Sequence, residues 1–262
     1  MRNSPIGIFD SGVGGLTIYE EIHKLLPNEN IIYLADSKNA PYGEKSKEEI
    51  IDISVKNTEF LLSKGCKLIV VACNTASTNA VKYLREHYAI PFIRVQPAIK
   101  PAAINSKTKV VGILATKGTL KSELLFETSQ RFAKGVKVIE QVGECLVTLI
   151  ESGKMHSSEM TSLLHKHINP MLDKNIDHLV LGCTHYPFLT DQIKDIVGKA
   201  VDILDSGEAI ARQTKVILTQ ENLLNLEIGD ISRIFYTNKD PQVMQQILDE
   251  FDEEFEAIKT YF

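Results

Sequence analysis

The chain predicts an α/β fold of two pseudo-symmetric modules, each a parallel sheet flanked by helices, facing each other across a cleft. Three observations lead there. Short apolar runs alternate with longer amphipathic stretches along the 262 residues, the rhythm of strand–helix–strand units. The apolar runs are nearly continuous, as strands covered on both faces require. One segment also occurs twice: Leu68–Ala72 runs into Cys73-Asn74-Thr75, and Leu179–Gly182 runs into Cys183-Thr184-His185, placing the cysteines 110 residues apart. The strands that open the two segments repeat as well, Gly7-Ile8-Phe9-Asp10-Ser11 against Gly112-Ile113-Leu114-Ala115-Thr116, at an offset of 105 residues.

In chain order, Ile6–Phe9 is a first strand, and Asp10-Ser11-Gly12-Val13-Gly14-Gly15 turns it into a helix. Ile31–Leu34 is the next strand. It is followed by Asp36–Gly43, where Pro41 and Gly43 favour a turn and Tyr42 stands ready to close over a small ligand. Lys47–Ser63 has helical periodicity, and Leu68–Ala72 and Phe92–Val95 are strands. The segment Pro97–Pro101 marks a module boundary. Beyond it come the strand Val110–Leu114, the helix Leu120–Phe132, the strand Val136–Ile139, the helix Ser157–Leu172, and the strands Leu179–Leu181 and Val201–Leu204. A last strand, Arg233–Tyr236, and the helix after it fit either sheet; the expected division puts residues 1–96 and about 207–262 in the first module and 97–206 in the second. Parallel sheets bind ligands at the carboxyl ends of their strands. Asp10, Asp36, Cys73, Thr116 and Cys183 all fall at or just past such ends.

Composition narrows the function. A net charge of −5 offers no basic footprint for nucleic acid. No segment approaches the roughly 20 apolar residues of a membrane span, and the N-terminus enters a strand at Ile6 without a signal-peptide core, so a cytoplasmic protein is expected. The acidic run Asp249–Glu256 reads as a solvated helix face. Four cysteines in such a chain argue for thiols rather than a disulfide framework. Cys66, at a strand entrance, and Cys145, on an apolar helix face, read as buried structural residues, whereas Cys73 and Cys183 sit just past strand ends. His165 and His167 read as surface residues.

Two opposed thiols suit a reaction that takes a proton from one face of a carbon and returns it on the other. A thiol titrates near pH 8.5, so each cysteine needs a base or a helix N-terminus to gain thiolate character. Both precede expected helices; Asp10 is positioned to approach Cys73, and His185 with a carboxylate to approach Cys183. Asp10 and Ser11 have two open readings: they cap the following helix, or the turn presents its N–H groups and Ser11 to a carboxylate with Asp10 in the cleft. The turn has no GxGxxG spacing and no GK[ST], which speaks against a nucleotide. Glu151 sits where a helix ends near the cleft, though most glutamates so placed are solvated.

The set FDSGVGGLT (Phe9–Thr17), D-x4-PYG (Asp36–Gly43), ACNTAS (Ala72–Ser77), PAIKPA (Pro97–Ala102) and GCTHYP (Gly182–Pro187) resembles the glutamate racemases of the cofactor-independent aspartate/glutamate racemase superfamily. The resemblance implies two Rossmann-like modules and interconversion of L- and D-glutamate by two bases, with neither cofactor nor metal. It implies that Cys73 takes the α-proton of D-glutamate with Asp10 assisting, and that Cys183 takes that of L-glutamate with His185 and Glu151 assisting. It assigns substrate contacts to Asp10, Ser11, Pro41, Tyr42, Gly43, Cys73, Asn74, Thr75, Thr116, Cys183, Thr184 and His185. It further implies a homodimer and supply of D-glutamate for peptidoglycan. One departure stands out: where the family reads P-x-[IV]-G, this chain has Pro91-Phe92-Ile93-Arg94. Arg94 reads first as an exposed tip without a role, and otherwise as part of a domain interface or a ligand or regulatory site.

Four rivals remain. A related racemase would act on aspartate or another amino acid. A zinc enzyme would use Cys73, Cys183, His185 and Asp10 as ligands, but their spacing lacks the tight pairs of common zinc motifs. A thiol–disulfide oxidoreductase would prefer a CxxC, which is absent. A binding or regulatory protein would keep the fold without the chemistry.

Overall fold

A computed structural model describes residues 2–227, 229, 231–251 and 253–262. Its strands are β1 (Ile6–Asp10), β2 (Ile31–Ala35), β3 (Leu68–Val71), β4 (Phe92–Arg94), β5 (Val110–Ala115), β6 (Lys137–Val142), β7 (His178–Gly182), β8 (Asp202–Leu204), β9 (Arg233–Thr237) and β10 (Ala257–Lys259). They form two sheets, ordered β10-β9-β2-β1-β3-β4 and β6-β5-β7-β8, with every pairing parallel. The duplication read from the sequence is thus topological: β2-β1-β3-β4 and β6-β5-β7-β8 follow one order. Cys73 leaves β3 and Cys183 leaves β7, the equivalent strands.

The strands at the sheet centres are wholly buried, β1, β2, β3 and β7 along their full length. Their unbroken apolar runs follow from that double coverage. At the edges the signal weakens. β6 is half-exposed and extends three residues past the expected end at Ile139, and β10, at the far edge of the first sheet, has a single buried residue, Ala257. No strand is legible in the sequence there, because an edge strand this short carries no apolar run.

Helix Lys47–Ser63 lies where its periodicity placed it, started by a capping box in which Ser46 and Glu49 satisfy each other's backbone N–H groups. The expected helix Leu120–Phe132 is instead two, Lys117–Leu120 and Glu123–Phe132, because the Ser122 hydroxyl accepts from Leu125 N–H and restarts the winding. The acidic run is not a helix face either. The helix Gln242–Leu248 ends before it, and its described acidic members are exposed in turns and irregular chain while Phe251 and Phe255 pack half-buried against the core; Asp252 lies outside the described residues.

One buried apolar cluster runs from the first sheet through Leu16, Tyr19 and Phe235 into the second through Leu146, Leu181 and Ile193. Helices Leu16–Leu25 and Gly207–Gln220 pack against each other across the same region. The chain passes between the sheets after β4 and returns after β8, and the two crossings are tied by the Ser206 hydroxyl donating to the Gln96 carbonyl at 2.5 Å. Among the described residues no helix is long and apolar enough to cross a membrane.

Two further expectations are corrected. Cys145 is exposed: it precedes helix Leu146–Ile150 in a left-handed conformation (φ 64°), so the helix turns Leu146, Val147, Leu149 and Ile150 inward and leaves the thiol outside. His167 is buried, with Nε2 3.1 Å from the Glu144 carbonyl and Nδ1 3.3 Å from Gln141 Nε2. Residues two apart on a helix face nearly opposite ways, so only His165 meets solvent.

Candidate active site

β1 ends in Asp10, which is fully buried, and a short 3-10 turn, Val13–Gly15, follows it. Asp10 supplies no side-chain cap to either following helix but bridges its own turn and the other module. Its Oδ2 accepts from Gly15 N–H at 2.9 Å, while both carboxylate oxygens lie 3.3 Å from the Thr184 hydroxyl of the other module. Burial pushes the Asp10 carboxyl up in pKa, opposed by His185 and reinforced by Glu151. Cys73 caps helix Asn74–Asn79, its Sγ accepting from Ala76 N–H at 3.5 Å. Burial drives this thiol well above its ordinary pKa, and the Asp10 charge adds to that; Ala76 N–H and the Ser11 hydroxyl pull the other way. Such a thiol is protonated at rest, and its thiolate is a strong base.

Cys183 is followed not by an α-helix but by a turn that leads into the 3-10 segment Tyr186–Leu189. Its partner is a side chain: Sγ lies 3.8 Å from His185 Nδ1, and His185 Nε2 lies 2.7 Å from Glu151 Oε1. Burial disfavours a charged imidazole here, yet Cys183 and Glu151 together push His185 well above its usual range. For Glu151, burial acts upward, but the His185 bond and charge, the Ser37 hydroxyl and Val13 N–H bring the carboxyl below its ordinary value. Glu151 is buried at the end of helix Leu146–Ile150, and its Oε1 also accepts from Val13 N–H of the first module at 2.7 Å. The glycines of the first turn make room for this pair. A Cβ at Gly12 would overlap the Glu151 carboxylate, and one at Gly14 would overlap the His185 ring. The turn is legible in the sequence; this reason for its glycines is not.

Ser11, Pro41, Tyr42, Gly43, Cys73, Asn74, Thr75, Thr116, Cys183, Thr184 and His185 line one cavity of about 10 Å³, together with Val147. A single water needs about that much space, so the cavity as it stands is closed to anything the size of an amino acid. Thr75 and Thr116 hydroxyls meet at 3.0 Å across the cleft, and the Thr17 hydroxyl reaches the Thr184 carbonyl at 3.1 Å. Asn74 Nδ2 is buried without a partner among the described residues, a donor available to a bound carboxylate. Tyr42 is buried over the site, but its hydroxyl is turned to the Asp36 carboxylate. Asn39 and Asn238 also donate to that carboxylate, and Asn57 donates to Tyr42. Asn57 and Asn238 went unread in the sequence, since lone polar residues on helices and loops carry no spacing signal.

A larger cavity, about 910 Å³, opens at the crossings between the sheets, walled among others by Arg85, Arg94, Lys100, Arg131 and Arg212. Arg94 is therefore a half-buried wall residue at the end of β4, not the exposed tip expected. Among the described residues no group of three His, Cys, Asp or Glu side chains converges on a metal-sized site.

Two buried thiols at equivalent strand ends of duplicated modules, sharing one cavity, define an enzyme of the amino-acid racemase class. The Asp/Glu/Hydantoin racemase profile matches residues 6–214. A glutamate racemase of Herpetosiphon aurantiacus is 46% identical over 92% of this chain and 95% of its own. The solved glutamate racemase of Francisella tularensis, in complex with D-glutamate, superposes with a TM-score of 0.82 at 30% identity, covering 98% of each chain. That of Escherichia coli, in complex with L-glutamate and the activator UDP-MurNAc-Ala, superposes with a TM-score of 0.87 at 34% identity, covering 98% of this chain and 97% of its own. The chain belongs to the Asp/Glu/Hydantoin racemase family, and within it closely matches the glutamate racemases.

Proposed function

We propose that this enzyme interconverts L- and D-glutamate through Cys73 and Cys183, each acting on one face of the α-carbon. The observation that carries the reading is that both thiols line one small cavity with separate proton partners. Relatives solved with either enantiomer support glutamate as the substrate. Cys73 as thiolate removes the α-proton of D-glutamate, and Cys183 delivers a proton to the other face; the roles exchange for L-glutamate. Asp10 is assigned to Cys73, and His185 with Glu151 to Cys183. Ser11, Pro41, Tyr42, Gly43, Asn74, Thr75, Thr116 and Thr184 are assigned to holding the substrate.

The α-hydrogen is a far weaker acid than a thiol, so the base must be strong and the carbanionic transition state held by fixed donors. The raised pKa of Cys73 meets the first demand. The free Asn74 amide and the hydroxyls of Thr75 and Thr184 are suited to the second. General acid–base catalysis contributes about 10²–10⁴-fold, and fixed orientation between two bases adds to it. The bodies that part to admit substrate are taken as residues 1–96 with 207–262 and residues 97–206. A cytoplasmic homodimer that supplies D-glutamate to peptidoglycan synthesis completes the proposal; gel filtration with light scattering tests the dimer.

Circular dichroism of the protein with L- and then D-glutamate tests the activity. Decay of either signal toward zero supports the reading. An inert response to glutamate with turnover of aspartate would keep the site and replace the substrate.

A further inference from the structure

Glu151 belongs to the second sheet's side of the cleft but is gripped from the first. Its Oε1 accepts Val13 N–H from the turn after β1. Beside it stands the hydroxyl of Ser37, in the turn after β2, which favours the charged carboxylate. β1 and β2 are paired neighbours with Asp10 opposite Ala35, so the two turns arrive at Glu151 side by side. The backbone around Ser37 is fixed: Asp36 N–H donates to the Asp10 carbonyl at 3.0 Å, Asn39 N–H to the Asp36 carbonyl at 2.9 Å, and Lys38 N–H to Asn238 Oδ1 at 2.9 Å. Yet Ser37 Oγ, buried, completes no well-formed hydrogen bond among the described residues. Leaving a buried hydroxyl unpaired costs free energy, and such a group calls for an explanation.

We propose that Ser37 is a positioning residue: with substrate bound its hydroxyl turns to complete a hydrogen bond to Glu151, fixing the Glu151–His185 pair and through it the proton chemistry of Cys183. This rests on the two-thiol reading above. It makes the Cys183 end dependent on a hydrogen bond from the opposite module, whereas the groups that hydrogen-bond Cys73, namely the Ser11 hydroxyl and Ala76 N–H, come from its own module.

The test uses Ser37→Ala, Ser37→Cys and Ser37→Thr with α-deuterated L- and D-glutamate. A hydrogen bond to a charged group is strong enough that Ser37→Ala should lower kcat about tenfold, with KM little changed. The isotope effects should then diverge. From L-glutamate, Cys183 performs the abstraction, so the α-deuterium effect rises. From D-glutamate, Cys183 performs the reprotonation, so the α-deuterium effect falls and the solvent isotope effect rises. Ser37→Cys, close in volume and a weaker donor, should show the same divergence in smaller measure, and Ser37→Thr should restore wild-type values. Wild-type kinetics in Ser37→Ala, or equal isotope-effect changes in both directions, would overturn the inference. Wild-type protein that leaves the α-deuterium untouched in both enantiomers would instead sink the two-thiol reading itself.

Discussion

Cys73 and Cys183 leave equivalent strands, β3 and β7, yet the groups that govern their protons differ in kind. At Cys73 the surroundings are a backbone N–H, a serine hydroxyl and a carboxylate whose own pKa is raised by burial. At Cys183 they are an imidazole and a carboxylate in hydrogen-bond contact, the first pushed up and the second pushed down in pKa. Duplication of the fold therefore duplicated the place of the thiol without duplicating its chemistry. A racemase has to bring about equal and opposite proton transfers on mirror-image substrates, but nothing requires that it do so with the same groups. What the two ends must share is the position of sulfur relative to the α-carbon, and strand ends in one sheet order supply that.

The largest effect should come from the sulfurs. Cys73→Ser and Cys183→Ser are each expected to lower racemisation by at least about 10²-fold, the lower range for loss of a positioned acid–base group, in assays by circular dichroism from both enantiomers. A variant that kept its rate would break the comparison at its root, since one end would then not be a base at all.

A smaller but sharper effect is expected at Gly14, which belongs to the first module but touches only the second module's chemistry. A Cβ there would overlap the His185 ring, so Gly14→Ala must displace the imidazole. Misplacing a catalytic group by about 1 Å costs on the order of 10²-fold. The loss should appear in kcat more than in KM, together with a fall of about 1–3 kcal/mol in stability by urea denaturation from overpacking a buried contact. A variant with normal turnover would show that the ring has room to shift and that its placement is not set by the turn.

Much of this was legible in the sequence because it is written in periodic or repeated form. Buried central strands advertise themselves as unbroken apolar runs, and the repeat of Leu-rich strand plus Cys picked out both reactive ends. His185 is readable because it lies two residues from Cys183. Glu151 is not readable by proximity: it lies 32 residues before Cys183 in the chain and reaches the site through His185, so its place at a helix end pointed to it weakly and family resemblance gave its role. Cys145 misled because it flanks an apolar helix without belonging to it, and His167 because a histidine's burial depends on which face its helix turns inward. Gly12 and Gly14 look like turn residues whether they serve a turn or clear space for a neighbour. Ser37 carries no signal at all, since its role depends on a side chain from the other module.

The smallest expected effect is on stability, and its pH dependence separates the two ends. His185 has a folded pKa raised above the ordinary 6.5, so the stability it brings is complete below that value and is lost as pH rises through the folded pKa. Glu151 has a folded pKa below the ordinary 4.5, so its contribution is complete above that value and is lost as pH falls through the folded pKa. The pair therefore stabilises the fold most between pH 4.5 and 6.5. Removing one partner of a buried pair costs about 3 kcal/mol, so His185→Asn should lose about that much by urea denaturation near pH 5.5 and less toward pH 9. Asp10 shares the sign of His185, opposite to Glu151, but in a lower window: its folded pKa is raised above 3.8, so its ionisation removes stability as pH rises past that value. Asp10→Asn should accordingly lose less stability than His185→Asn near pH 5.5, and its relative stability should improve toward neutral pH. If both variants instead followed one common pH profile, the two ends would share a single coupled titration, and the difference in their proton partners would be one of geometry without energetic consequence.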